Sequence, residues 1–263
     1  MKKLMTALAV CAIASLSLAS GGVTSANVVG YQTVPTTGGN YNLLAINWEL
    51  VGGGSINIQD LFGGSTNGLV AAGGVTGADN IKVWNPNTSG YKDYYLYTSG
   101  GAYPQWDGKW FDGGVMATAT FPKGTAFWLL RRGSGDVNLT VAGQVSTVNS
   151  VSFAIKAGNF NQIGNPYPTD LAINSPNLVI DVSKAVAAGG VTGADNIKVW
   201  NPSTSGYKDY YLYTSGGAYP QWDGKWFDGG VEATGSIPMG HGAWYLSRAT
   251  VGNDWTLTIT KTY

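Results

Sequence analysis

The sequence predicts an all-β protein of two tandem domains, each a β-sandwich or a partly open barrel with one short helix. Three observations carry this. Residues 70–118 recur at 186–234, differing only at Asn87/Ser203 and Met116/Glu232. The 39 glycines and 10 prolines punctuate short apolar and aromatic runs, the pattern of many short strands joined by turns. Stretches with a helical period are scarce.

Composition excludes some classes of function. Fifteen Lys+Arg balance fifteen Asp+Glu, and only 11% of residues are charged, where soluble domains carry about a quarter. The largest basic cluster is Arg131-Arg132, too little to release counterions from a phosphate backbone, so nucleic acid is not an expected partner. Ten Trp, 15 Tyr and 7 Phe in a chain that is 44% hydrophobic exclude a disordered protein.

Met1-Lys2-Lys3, an apolar stretch over 4–18 and the small residues ending Thr24-Ser25-Ala26 read as a secretory signal peptide. Cleavage is expected near Ala26, with Ala19 as the alternative. Val10 stands before Cys11, where a lipoprotein signal needs a small residue. Cys11 is the only cysteine, so the mature chain is expected to hold no disulfide, thiol nucleophile or Cys-based zinc site. No later apolar run is long enough for a transmembrane helix. The expected location is extracellular or at the cell surface, in a bacterial setting.

The duplication sets the domain boundaries: signal peptide 1–26, first repeat 27–144, second repeat 145–263. Looser matches extend the register. Gly39-Asn40-Tyr41-Asn42 faces Gly158-Asn159-Phe160-Asn161, residues 121–128 face 237–244, and 136–141 face 254–259. Units this long are domains, since solenoid repeats run at roughly 20 to 50 residues. The identity extends to solvated types such as Lys92/Lys208, Gln105/Gln221 and Lys109/Lys225. That favours recent copying over a shared binding surface as its cause.

Within each repeat the elements follow in order. Residues 55–62, with Ser55 as N-cap, and 178–188 are the helix candidates. Residues 79–84 and 91–97 read as strands of a hairpin joined by the turn residues 85–90. Asp107-Gly108 is the dipeptide preferred by two-residue type I′ hairpin turns. Residues 126–130 form an apolar run typical of a strand covered on both faces, with 136–142 expected as its partner. Trp84/Trp200 and Trp128/Trp244 are expected to fill the cores.

In the second repeat, Ile163-Gly164-Asn165-Pro166-Tyr167-Pro168 is followed by Ile197-Lys-Val-Trp-Asn-Pro202, Gly206-Tyr207 and Ile237-Pro-Met-Gly-His-Gly-Ala-Trp244. This series resembles a group of secreted bacterial β-domains with the pattern G-N-P-Y-P, then I-x-V-W-[DN]-P, then I-P-x-G-x-x-F-W, found in surface and exported proteins. The first repeat matches the last two motifs through 81–86 and 121–128, and departs from the first with Leu44-Ala-Ile-Asn-Trp48. The opening Ala26-Asn-Val-Val-Gly-Tyr-Gln32 is similar to the mature start of small secreted proteins carrying such units. The resemblance implies a β-domain at the surface and carries no catalytic residue.

Few residues offer chemistry. His241 is the sole histidine and its counterpart is Thr125, which weighs against a triad or a multi-His metal site in each repeat. Asp107 and Asp112, repeated as Asp223 and Asp228, are nominal partners for glycoside hydrolysis or Ca²⁺, but each precedes Gly as turn residues do. No cofactor or metal is expected. The leading ligand-binding candidates are the rings and carboxylates of a hairpin tip: Tyr103, Trp106, Asp107 and Trp110, repeated as Tyr219, Trp222, Asp223 and Trp226. Planar rings stack on sugar faces while neighbouring polar groups contact hydroxyls. The C-terminal alternation 255–263 has the form of a membrane-barrel strand, yet it aligns with 137–141 inside the chain. The expected function is a secreted or surface-located, non-enzymatic structural or adhesive binding role. The alternatives are a carbohydrate-binding module, an outer-membrane barrel and a secreted glycoside hydrolase. Expected partners are extracellular polysaccharide, other surface proteins or further copies of the chain.

Overall fold

The computed structural model describes residues 29–62 and 68–261; the expected signal peptide lies outside them. The first half contributes β1 (Val29–Thr36), β2 (Tyr41–Ala45), β3 (Ile56–Asn57), β4 (Asn80–Asn85), β5 (Gly90–Tyr97), β6 (Lys109–Asp112), β7 (Val115–Met116), β8 (Thr120–Phe121), β9 (Ala126–Leu130) and β10 (Val137–Gln144). The second contributes β11 (Ser150–Ile155), β12 (Phe160–Gly164), β13 (Leu171–Ala172), β14 (Leu178–Val179), β15 (Asn196–Asn201), β16 (Gly206–Leu212), β17 (Trp226–Asp228), β18 (Val231–Glu232), β19 (Ser236–Ile237), β20 (Gly242–Leu246) and β21 (Trp255–Thr260).

Each half holds a six-stranded antiparallel sheet of the same order, β2-β9-β4-β5-β6-β7 and β12-β20-β15-β16-β17-β18. A second layer covers one face of each. It comprises β1-β10 with β3-β8 in the first half, and β11-β21-β14 with β13-β19 in the second. The fold is all-β and sandwich-like, and among the described residues no sheet closes into a barrel. Among the described residues no helix is long and apolar enough to cross a membrane.

Strand alternation decides what each layer buries. Ile81, Leu96, Trp110, Phe127 and Leu129 of the large sheet meet Val34, Leu139 and Val141 of β1 and β10 in one core. Ile197, Leu212, Trp226 and Tyr245 meet Ile155, Trp255, Leu257 and Ile259 in the other. At about 25 cal/mol per Å² of apolar surface, such burial is the main favourable term in folding. The expected hairpin appears as β4–β5, with Asn85 Oδ1 accepting from the Asn87 amide (3.0 Å) and Ser89 at φ 48° closing the turn.

Several expectations are corrected. The helix expected over 55–62 is a single 3-10 turn, Ile58–Asp60, capped by Asn57 rather than Ser55. Ile56 pairs with Phe121 in a sheet, which leaves too few residues for a longer helix. In the stretch 178–188, Leu178 and Val179 pair with β21, and Ala188 forms a bridge to Tyr213. Cross-strand pairing consumes both ends of the expected helix. β9 lies between β2 and β4, while its expected partner, β10, pairs with β1 in the other layer. Asp107-Gly108 does not close a two-residue hairpin, because β5 and β6 are joined by the long segment 98–108. The tight turn is Gly113-Gly114 between β6 and β7, at φ 55° and 95°, where both positions need the left-handed freedom that glycine has.

The two halves pack through equivalent patches related by an approximate twofold axis. Asn40 Nδ2 donates to the Pro202 carbonyl (2.6 Å) and to Ser205 Oγ (2.8 Å), and its counterpart Asn159 donates to the Pro86 carbonyl (2.8 Å) and Ser89 Oγ (3.0 Å). Backbone contact adds to this: Ala45 N donates to the Gly240 carbonyl (2.9 Å) and Leu44 bridges His241. At Gly164 a Cβ would stand 2.4 Å from the Gly124 carbonyl oxygen and 2.7 Å from Ala45 Cβ, so only glycine permits the approach.

Candidate functional site

The expected tip is a wound loop leaving β5. Asp107 anchors it: Oδ1 accepts from the Ser99 amide (2.5 Å) and hydroxyl (2.8 Å), and Oδ2 from Gly101 N (3.2 Å). Ser99 Oγ accepts in turn from Tyr103 N (2.7 Å). These bonds, the Ser99 amide first, hold the Asp107 carboxyl below its ordinary range. Tyr103 and Trp106 are thereby set against each other with ring centroids 4.9 Å apart, and are 51% and 40% exposed. Below them Trp106 meets Phe111 edge-on, and Phe111 stacks on Tyr97 at 4.3 Å. The second half repeats the arrangement, with Asp223 bonded to Ser215 and Gly217 contributing to its lowered carboxyl, and Tyr219 and Trp222 at 4.9 Å.

Trp110 and Trp226 do not join the tip. Phe111 pairs with Tyr95 on the outer face of the sheet, so the alternation of β6 turns Trp110 inward, where it is buried against Phe62. Trp226 lies equally deep, edge-on to Tyr245. Asp112 and Asp228 face other partners, Lys92 Nζ (2.6 Å) and Lys208 Nζ (2.5 Å). Among the described residues no group of three or more His, Cys, Asp or Glu gathers to hold a metal. His241 sits in the junction between halves with Nδ1 against the Met239 carbonyl (3.0 Å), and burial lowers its pKa.

A second arrangement lies where the halves meet. On the outer face of the first large sheet, Lys82 stands opposite Asp93 and Trp128, and Trp84 opposite Tyr91. The second sheet carries Lys198, Asp209, Trp244, Trp200 and Tyr207 in the same places. Two clefts result, each of about 360 Å³. One is lined by Tyr41, Lys82, Tyr91, Trp128, Trp200 and Tyr207. The other is lined by Trp84, Tyr91, Phe160, Lys198, Tyr207 and Trp244. Each therefore takes rings from both halves, and Tyr91 and Tyr207 belong to both.

The rings are braced edge to face. Trp128 meets Trp200 at 5.2 Å and 90°, and Trp244 meets Trp84 at 5.3 Å and 85°. Trp200 Nε1 donates to the Tyr41 carbonyl (2.7 Å), and Trp84 Nε1 to the Phe160 carbonyl (2.8 Å). Lys82 Nζ pairs with Asp93 Oδ2 (2.6 Å) and Lys198 Nζ with Asp209 Oδ2 (2.5 Å), so the lysine that lines each cleft is balanced and the lining carries little net charge. Burial raises the pKa of Tyr91 and of Tyr207, against smaller opposing effects of hydrogen bonds with Trp128 and Trp244.

Comparison with protein-family models, with curated proteins and with solved structures finds no match.

The sequence does not reveal the clefts, because it points to their tryptophans as core residues. Trp128 and Trp244 are indeed buried, but with Leu43 in a separate cluster at the junction, with Trp84 and Trp200 packed on it. One signal was available. Ile81 and Val83 alternate with Lys82 and Trp84, so a core-facing Ile81 puts Trp84 beside a lysine on the opposite face.

Proposed function

We propose that this chain is an exported, non-enzymatic adhesive protein that holds extracellular polysaccharide through its two aromatic tips. The observation that carries the reading is the pair of exposed, pre-set ring couples, Tyr103–Trp106 and Tyr219–Trp222. Flat rings stack on the apolar faces of sugars, and rings fixed before binding lose little freedom on contact. Two couples on one chain raise avidity on a polymer that reaches both. The signal-like N-terminus and the resemblance to secreted β-domains support an extracellular setting for this activity. The carboxylates nearest the tips serve the loop and surface ion pairs, which leaves adhesion as the simpler use.

The test is retention of residues 27–263 on a panel of insoluble polysaccharides. Retention is expected for the native chain and lost in Trp106→Ala/Trp222→Ala with an unchanged circular dichroism spectrum. Undiminished retention by that variant overturns the reading.

A second reading, self-assembly, is favoured by the two-residue edge strands β7 and β18. Val115 and Val231 are each 66% exposed there, and Met116 is 48% exposed, on edges free to pair with another chain. Sedimentation over a hundredfold range of concentration separates the readings. Growth in mass without ligand supports assembly, and a constant mass removes it.

A further inference from the structure

We propose that the two clefts at the junction form one continuous groove that binds a neutral oligosaccharide across the approximate twofold axis. This is a site separate from the tips, and it stands or falls independently of them.

Four observations converge on this ligand. Each cleft, at about 360 Å³, falls within the range of about 300–1,000 Å³ typical of small-molecule sites. The lining is open to solvent where a ligand would lie: Tyr41, Tyr91, Phe160 and Tyr207 are 39%, 45%, 40% and 44% exposed. The tryptophans behind them are fixed by ring contacts and indole hydrogen bonds across the junction, so the walls are ordered before a ligand arrives. The only charged lining groups, Lys82 and Lys198, are already neutralised by Asp93 and Asp209.

That last feature chooses among ligands. A phosphate or uronate calls for an unpaired cation, and an organic cation calls for rings without a competing ammonium. A proline-rich peptide suits aromatic grooves, but presents carbonyl acceptors and few donors. A pyranose offers a flat apolar face ringed by hydroxyls that both donate and accept. This matches rings bordered by tyrosine hydroxyls, which donate and accept, and by a lysine ammonium, which donates.

The shared Tyr91 and Tyr207 make two subsites continuous, so affinity depends on chain length. The subsites are not identical, since Tyr41 in one is replaced by Phe160 in the other. The extra hydroxyl gives the groove a direction, which suits a polymer whose two ends differ.

The experiment titrates the full exported chain with soluble hexaoses, by calorimetry and by intrinsic tryptophan fluorescence. The panel holds β-1,4-glucose, β-1,4-N-acetylglucosamine, β-1,4-mannose and α-1,4-glucose oligomers, with decaproline as the competing class. Counted in the Trp106→Ala/Trp222→Ala chain, so that the tips add no sugar site, at least one hexaose is expected to bind at one per chain and at least tenfold tighter than its disaccharide. Adding Tyr91→Thr/Tyr207→Thr to that chain is expected to weaken it at least tenfold. Should the threonine variant fail to fold, Tyr91→Phe/Tyr207→Phe keeps the rings and is expected to lose affinity about threefold. The proposal is overturned by no binding across the sugar panel, by decaproline binding in place of a sugar, or by full affinity in a folded cleft variant. Loss of polysaccharide retention in the tip variant alone bears on the adhesive reading and leaves this groove intact.

Discussion

Trp84 of the first half stands edge-on to Trp244 of the second, with ring centroids 5.3 Å apart, and its Nε1 donates to the Phe160 carbonyl (2.8 Å). Trp200 makes the equivalent contacts with Trp128 and the Tyr41 carbonyl. Trp84→Phe/Trp200→Phe keeps apolar rings and removes both hydrogen bonds, each worth about 1 kcal/mol. The melting temperature is expected to fall by roughly 4–8 °C for a chain of this size. An unchanged midpoint in a calorimetric scan would show that these bonds add nothing to stability.

The tips are expected to loosen in acid. Hydrogen bonds from Ser99 and Ser215 hold Asp107 and Asp223 below the ordinary value of 3.8. A depressed carboxylate contributes order that is fully present above 3.8 and lost as pH falls through its folded value. Trp106 and Trp222 resonances followed by NMR should therefore stay dispersed to about pH 4 and collapse below it. Asp107→Ala/Asp223→Ala should show the collapsed tips at neutral pH while leaving the cores intact.

Lys123 opposes folding at neutral pH. Its Nζ lies 3.9 Å from the Tyr167 ring centre and 4.0 Å from Glu49 Oε1, with no hydrogen-bond partner among the described residues. Burial pulls its pKa from 10.5 to about 8. The unfolded chain therefore binds the extra proton between pH 8 and 10.5, and stability rises with pH across that window. The second half places Met239 at the equivalent position. Lys123→Met is expected to add about 1 kcal/mol at pH 7, after loss of the cation–ring contact, and to flatten the alkaline rise. Urea titrations at pH 7 and pH 10 measure both effects.

Two buried aspartates are satisfied in different ways. Asp79 pairs with the buried guanidinium of Arg131 (3.0 Å) and accepts from Arg132 N. Asp195 accepts from Tyr245 Oη (2.7 Å) and Arg248 N (2.5 Å). The second half has Ser247 where the first has Arg131, and Tyr245 where the first has Leu129. Arg131→Ser should cost about 3–5 kcal/mol by stranding a buried charge. Adding Leu129→Tyr should recover part of it, and no recovery would refute the compensation.

Burial raises the Asp195 carboxyl above 3.8. A raised carboxyl favours folding below 3.8, and that contribution is lost as pH rises through the folded value. Tyr245→Phe removes one bond to the charged form, so it should cost about 2 kcal/mol at pH 7 and less at pH 3.5. Equal losses at both values would contradict this account.

The β class, the duplication and the 85–90 turn were legible because each is written in local pattern: alternation, repetition and turn chemistry. The expected helices at 55–62 and 178–188 were not, since their residues are claimed by strands distant in sequence, Ile56 by Phe121 and Leu178 by Ile259. Which tip rings are exposed was half legible. Tyr103 and Trp106 were found from their polar setting, whereas Trp110 needed the phase of β6, fixed only by its pairing with β5. Alternation could place Trp84 and Lys82 on one outer face, but not that this face meets the other half, because a repeat in one chain says that two copies exist and nothing about which faces meet.

The reciprocal bonds of Asn40 with Pro202 and of Asn159 with Pro86 mean that each repeat carries both sides of the junction on its own surface. Such a patch is self-complementary, the condition for a symmetric homodimer. Joined in one chain, the repeats meet at an effective concentration on the order of millimolar, whatever the dilution of the chain. Fusion also frees the two sides to change separately, which a true homodimer cannot do. Tyr41 and Phe160 mark where that freedom has already been used, turning an inherited symmetry into a left and a right.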